Sequence, residues 1–136
     1  MLAMKLESTA SAGSKLLLVI GWVFSAIPIL MMAGGGTAMF FTNQSAVAKG
    51  LADHGYPPSL AGTILALEIG CAVIYAIPQT AVLGAILLTG YLGGAVATHV
   101  RVGETQWIFP VLFGVLVWLG LVLRDKRLRV LLPIRR

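Results

Sequence analysis

Glu68 is the side chain whose setting most demands a chemical explanation. No charged residue occurs in the 14 positions before it or the 32 after it. A charged residue at the centre of a membrane-spanning helix costs on the order of 2.5–3.5 kcal/mol on insertion scales. An acid kept in such a place marks either a functional site or a hydrogen-bonded strut between helices. In both roles it faces neighbouring helices, and removal from water favours its neutral form. A group of this kind does acid–base work on a lipophilic molecule or hydrogen-bonds to a carbonyl-bearing one. At a rise of about 1.5 Å per residue, Ser25, Thr89, Tyr91 and Trp118 lie at a similar depth. These four are the candidate ligand-binding partners, and Cys71 and Tyr75 follow on Glu68's own helical face.

His99, in the run THVR, is the second candidate for catalysis. It lies about 15 Å higher than Glu68 along the bundle, too far for direct contact. Helical side chains lean toward their own N-terminus, so on antiparallel helices the two lean toward each other, and a relay through a hydroxyl, a water or a ligand is the expected link. A plain interfacial histidine near Trp107 explains His99 equally well. Arg101 is a candidate substrate contact, Glu104 reads as interfacial, and His54, in HGYPP, reads as solvent-exposed. One cysteine, Cys71, permits no intramolecular disulfide and no CxxC redox chemistry. One cysteine and two histidines far apart in the chain make no zinc site, so no metal is expected. Haem is disfavoured without a CxxCH motif, and no Walker loop or nucleophile motif is present. No cofactor can be named from the residues.

The elements that position these groups must be helices. A bilayer core about 30 Å thick needs about 20 apolar residues, and segments 16–42, 60–77, 80–99 and 108–123 qualify. Spanning backbone must satisfy its own hydrogen bonds, which leaves helices or closed barrels; the runs lack the strict alternation of a barrel strand. Pro28 should kink the first span. Pro57-Pro58-Ser59 opens the second. A turn at Pro78 makes the second and third spans antiparallel neighbours. Gly90 and Gly94 form a GxxxG in the third span, read as a helix–helix interface and a route to homo-oligomers.

Composition agrees. The chain is 58% hydrophobic and 11% charged, with a mean hydropathy of +0.93. Soluble domains carry about 25% charge, and a chain this small could not hide so much apolar surface from water. Disorder is excluded on the same ground. The expectation is an all-α integral membrane four-helix bundle at 16–123, with a flexible tail at 1–15 and a basic interfacial tail at 124–136. The stretch after Lys15 is too long for a signal-peptide core and reads as a retained first span. Six of the ten Lys/Arg lie at 124–136. Counting basic residues on each side puts both termini in the cytoplasm of a multi-pass inner-membrane protein. The same rule accounts for the basic tail without nucleic acid.

The chain also resembles a known family. AGGG at 33–36, HGYPP at 54–58, LALEIG around Glu68, the run from Ile77 to Glu104 and FPVLFGVLVWLGLVLRD at 109–125 together are similar to the DoxX-like family of small bacterial membrane proteins. The resemblance implies a four-helix membrane bundle, an association with quinone-linked oxidase or oxidative-stress systems, and polar membrane positions at Glu68 and His99. The leading expectation is a lipophile-binding accessory subunit, for a quinone-like molecule or a membrane or peripheral redox partner. The alternative is an intramembrane acid–base isomerase or cyclase with Glu68 as acid and His99 as base or relay. A proton path or transporter is a third reading, weakened by four short spans with little internal repeat.

Overall fold

In a computed structural model, the backbone of residues 2–131 and the side chains of residues 13–130 are described. Every regular element among them is helical: α1 (Leu2–Ile29), a π-helical turn (Leu30–Gly34), α2 (Gly35–Thr42), α3 (Gln44–Asp53), α4 (Ala61–Ala76), α5 (Ala81–Arg101), α6 (Ile108–Arg124) and α7 (Lys126–Leu131). Four stretches are long and apolar enough to cross a membrane: Gly13–Thr42, Pro58–Ala76, Ala81–Arg101 and Thr105–Arg124. They agree with the expected spans to within a few residues. The backbone of the expected N-terminal tail is helical from Leu2. Residues 132–136 of the expected basic tail lie outside the described residues.

The spans close into a ring in which α1 packs on α6, α6 on α5, α5 on α4, and α4 on the π-helical turn and α2. The last three spans are joined by short connections, while α3 bridges the first two, and α4 meets α5 through the turn at 77–80, where Thr80 N–H bonds the Ile77 carbonyl at 3.1 Å. The irregularity expected at Pro28 takes the form of the π-helical turn that follows it. Proline deletes one ladder donor, and the single π turn begins two residues beyond it.

Small residues decide where backbones touch. A Cβ on Gly120 would lie 2.9 Å from the Gly21 carbonyl and 2.5 Å from Ser25 Oγ, and one on Gly84 would lie 2.3 Å from Tyr75 Cα. The first pair lets α1 and α6 meet; the second lets α5 meet α4. In contrast, a Cβ on Gly90, Gly93 or Gly94 meets nothing within 4 Å. The GxxxG expected to be a helix–helix interface is therefore open within the chain. Within the chain its two glycines border a groove, described below.

Tyr75 is the centre of the packing. It is fully buried, its hydroxyl donates to the Val117 carbonyl at 2.7 Å, and it sits 2.9 Å from Ser25 Oγ. The phenol has one proton, already given to Val117, so Ser25 is the donor to Tyr75. Arg124 Nη2 donates to the Tyr75 carbonyl at 2.9 Å, with its guanidinium over the Trp22 ring at 4.3 Å and the Tyr75 ring at 4.7 Å. Cation–π contact accommodates a charge at this end of the bundle. Arg129 then donates to the Val122 carbonyl at 2.9 Å and to the Leu123 carbonyl, capping the free carbonyls that end α6.

Candidate functional site

The site is built around one stripe of α5. Gly90, Tyr91, Gly94, Ala95, Thr98 and His99 recur at helical spacing and form one wall of a groove of about 550 Å³. Residues 47, 50, 51 and 54 of the α3 segment supply the opposite wall at i, i+3, i+4 and i+7, and Ile64 and Leu67 of α4 complete it. The glycines of the GxxxG thus leave depth in the groove floor. Tyr56 closes one side: its hydroxyl lies 3.0 Å from Thr98 Oγ1, whose own proton goes to the Gly94 carbonyl at 2.9 Å, so Tyr56 is the donor.

At one end of the groove, Tyr91 hydroxyl donates to Glu68 Oε2 at 3.1 Å. Glu68 is half-buried and lies against Gly36, where a Cβ would stand 3.1 Å from Oε2 and 3.3 Å from Oε1. Gly36 follows the π-helical turn, so the first span is shaped to admit this carboxyl group. Glu68 therefore faces neighbouring helices, as its cost in lipid requires, and Tyr91 connects it to the groove.

At the other end, Glu104 Oε2 lies 2.7 Å from His99 Nδ1 and 3.0 Å from His54 Nε2. The two rings are edge-on, with centroids 4.9 Å apart. Two matching chain reversals bring the three together. After α3, Tyr56 N–H bonds the Leu51 carbonyl and Gly55 N–H the Ala52 carbonyl, with Gly55 at φ +76. After α5, Glu104 N–H bonds the His99 carbonyl and Gly103 N–H the Val100 carbonyl, with Gly103 at φ +78. Both are Schellman endings, whose left-handed residue favours glycine. His54 precedes one such glycine and Glu104 follows the other. Asn43 starts α3 by accepting from Ala46 N–H at 3.2 Å, a standard N-cap.

His54 is held from both sides. Its Nδ1 is 2.6 Å from the Gly50 carbonyl, and Arg101 donates to its own backbone carbonyl. The Gly50 carbonyl first, then the Glu104 carboxylate, raise the His54 pKa above its ordinary value of 6.5. Hydrogen bonds from His99, then from His54, lower that of Glu104 below 4.5.

The expected site residues thus separate into four places. Glu68 and Tyr91 meet directly, and His99 shares Tyr91's groove. Thr89 and Trp118 meet each other, Trp118 Nε1 donating to Thr89 Oγ1 at 2.9 Å, but on a second depression of about 630 Å³ between α5 and α6. That depression follows the adjoining α5 stripe of Thr89, Leu92, Gly93 and Val96. Ser25 is buried on Tyr75, and Arg101 ties the α3–α4 loop to α5. Two expectations are corrected. His54 is not a free loop residue: its side chain is only 19% exposed. The histidines, distant in sequence, are adjacent in space, so the reason given against a shared metal does not hold. Gly55 and Gly103 were the available signal, since each marks a helix stop beside a titratable side chain.

A family model for the DoxX-like family matches residues 23–120, which take in the second and third spans whole, most of the first and fourth, and both ends of the groove. The chain belongs to the DoxX-like family. Searches of curated proteins and of solved structures return no match. The DoxX-like match takes in Glu68, Tyr91, His54, His99 and Glu104 alike.

Proposed function

We propose that this protein is a lipophile-binding accessory subunit of a membrane redox or stress-related pathway, and that the α3–α4–α5 groove holds a quinone-like, carbonyl-bearing molecule. The observation that carries this reading is Tyr91, which both lines the groove and donates to Glu68. When Glu68 is protonated, its own O–H can donate to the Tyr91 oxygen and free the phenol proton for a carbonyl in the groove, and apolar walls with few polar groups suit such a ligand. By the excess of basic residues, both termini face the cytoplasm of an inner-membrane protein, with the basic C-terminal segment lying at the membrane surface. The test is mass spectrometry of lipophiles retained by detergent-purified protein, with and without added ubiquinone or menaquinone. Wild type is expected to retain a quinone and Gly94→Leu, which fills the groove floor, to lose it. Equal quinone in both refutes the reading, as does none in either.

The alternative, an acid–base isomerase or cyclase, draws on the same groove serving both Tyr91 and His99. Eight residues separate them on α5, about 12 Å, so a substrate would have to extend along the groove. Glu68-dependent deuterium incorporation into an added lipophile in D2O would favour this reading over simple binding.

A further inference from the structure

We propose that His54, His99 and Glu104 form a binding site for one divalent transition-metal ion of the zinc or ferrous type at the mouth of the groove. Each residue offers one ligand atom, and the three atoms lie within 4.8 Å of one another. Two imidazole nitrogens and one carboxylate oxygen are a donor set that such ions accept, and three protein ligands leave at least one position open.

Three further features fit the assignment. First, His54 Nδ1 contacts the Gly50 carbonyl at 2.6 Å. A carbonyl is an acceptor, so Nδ1 carries the proton and, in the neutral ring, the Nε2 lone pair points at Glu104. Locking the remote nitrogen on a carbonyl is how metal-binding histidines are oriented. Second, that lone pair and the Glu104 carboxylate are two acceptors 3.0 Å apart, a contact that either a shared proton or a metal ion satisfies. Third, the two helix endings and the Arg101 contact to the His54 carbonyl fix the backbone on both sides. The guanidinium is engaged on that backbone carbonyl. His54 and His99 both line the groove, so the open side of the ion faces the groove's contents. The site stands whether or not the groove holds a quinone.

The experiment is a Co²⁺ titration of full-length, detergent-purified protein carrying a tag without histidines and stripped with chelator. One Co²⁺ per chain is expected, with visible d–d absorption that Zn²⁺ abolishes. His99→Ala and Glu104→Gln should each weaken binding by at least about tenfold, since even outer-shell partners are worth 10–100-fold. Tyr91→Phe and Gly94→Leu should leave Co²⁺ binding unchanged, which separates this site from the lipophile reading. Circular dichroism confirms that each variant remains helical; His54→Ala is the replacement for any that does not. Absence of stoichiometric Co²⁺ uptake overturns the proposal, showing that a proton is the cation that holds the three side chains. Uptake indifferent to both His99→Ala and Glu104→Gln overturns it as well.

Discussion

Replacing Gly84 by alanine should loosen the bundle far from the groove. An added Cβ would lie 2.3 Å from both the Cα and the backbone nitrogen of Tyr75. Ordinary carbon contacts are about 3.5–4.0 Å, so the methyl group is too close by about 1.2 Å or more. The obstacle is backbone and cannot swing aside as a side chain would. Tyr75 is also held by Ser25, Val117 and Arg124, and the turn at 77–80 ties α4 to α5, so neither helix is free to slide. Overpacking costs about 1–3 kcal/mol, and this geometry belongs at the upper end, a drop in Tm on the order of 10 °C for a chain this size. The assay is thermal unfolding in detergent micelles, followed by circular dichroism. Gly94→Ala is the internal control, because its Cβ meets open space; its effect should stay within about 0.5 kcal/mol. An unchanged Tm for Gly84→Ala, or an equal loss for Gly94→Ala, would refute the division of glycines into contact points and groove floor.

Tyr75→Phe removes the acceptor of Ser25 while leaving Ser25 buried, and should cost about 1–3 kcal/mol; Tyr75→Phe with Ser25→Ala should recover part of it, measured by the same unfolding assay. Gly36→Ala places a methyl 3.1 Å from Glu68 Oε2; the carboxyl shifts by a few tenths of an ångström, and lipophile retention should fall with little change in Tm. In metal-stripped protein, the His54–Glu104–His99 contact should be pH-dependent in both directions. The raised His54 pKa contributes fully below about 6.5 and is lost as pH rises through the higher folded value. The lowered Glu104 pKa contributes above about 4.5 and is lost as pH falls through the lower folded value. Hydrogen-exchange protection of residues 54–56 should therefore be greatest between these two pH values; protection that rises steadily to pH 9 would contradict the assignment.

The spans were legible because apolar length is a local property of the sequence, and Pro57-Pro58 and Pro78 marked their boundaries. Depth arithmetic brought Tyr91 to Glu68, because two antiparallel helices joined by a four-residue turn have a fixed register. The same arithmetic could not separate faces, which is why Thr89 and Trp118 were grouped with Tyr91 although they line another depression. The histidine cluster was not legible. His54 and Glu104 are 50 positions apart, and their meeting depends on the end of α3 coming back to the end of α5, which no periodicity in either segment specifies. The partner of the GxxxG was not legible for a related reason: small residues signal close approach, but not whether a helix of this chain, a second copy or a ligand approaches.

The five residues of the π-helical turn have a bearing on every side chain that follows them in the first span. The wider turn takes up one residue more than an α-helical turn needs, so the later residues keep an azimuth that an extra residue in a plain α-helix would shift by about 100°. Gly36 comes two residues after this turn, and it is the glycine that abuts the Glu68 carboxyl. Drawing residues 30–34 into a plain α-helix without losing a residue would turn that bare backbone away, bringing a side chain to face the acid instead. The spacing of this segment, more than the identity of its residues, is what keeps the acid's seat vacant of protein atoms.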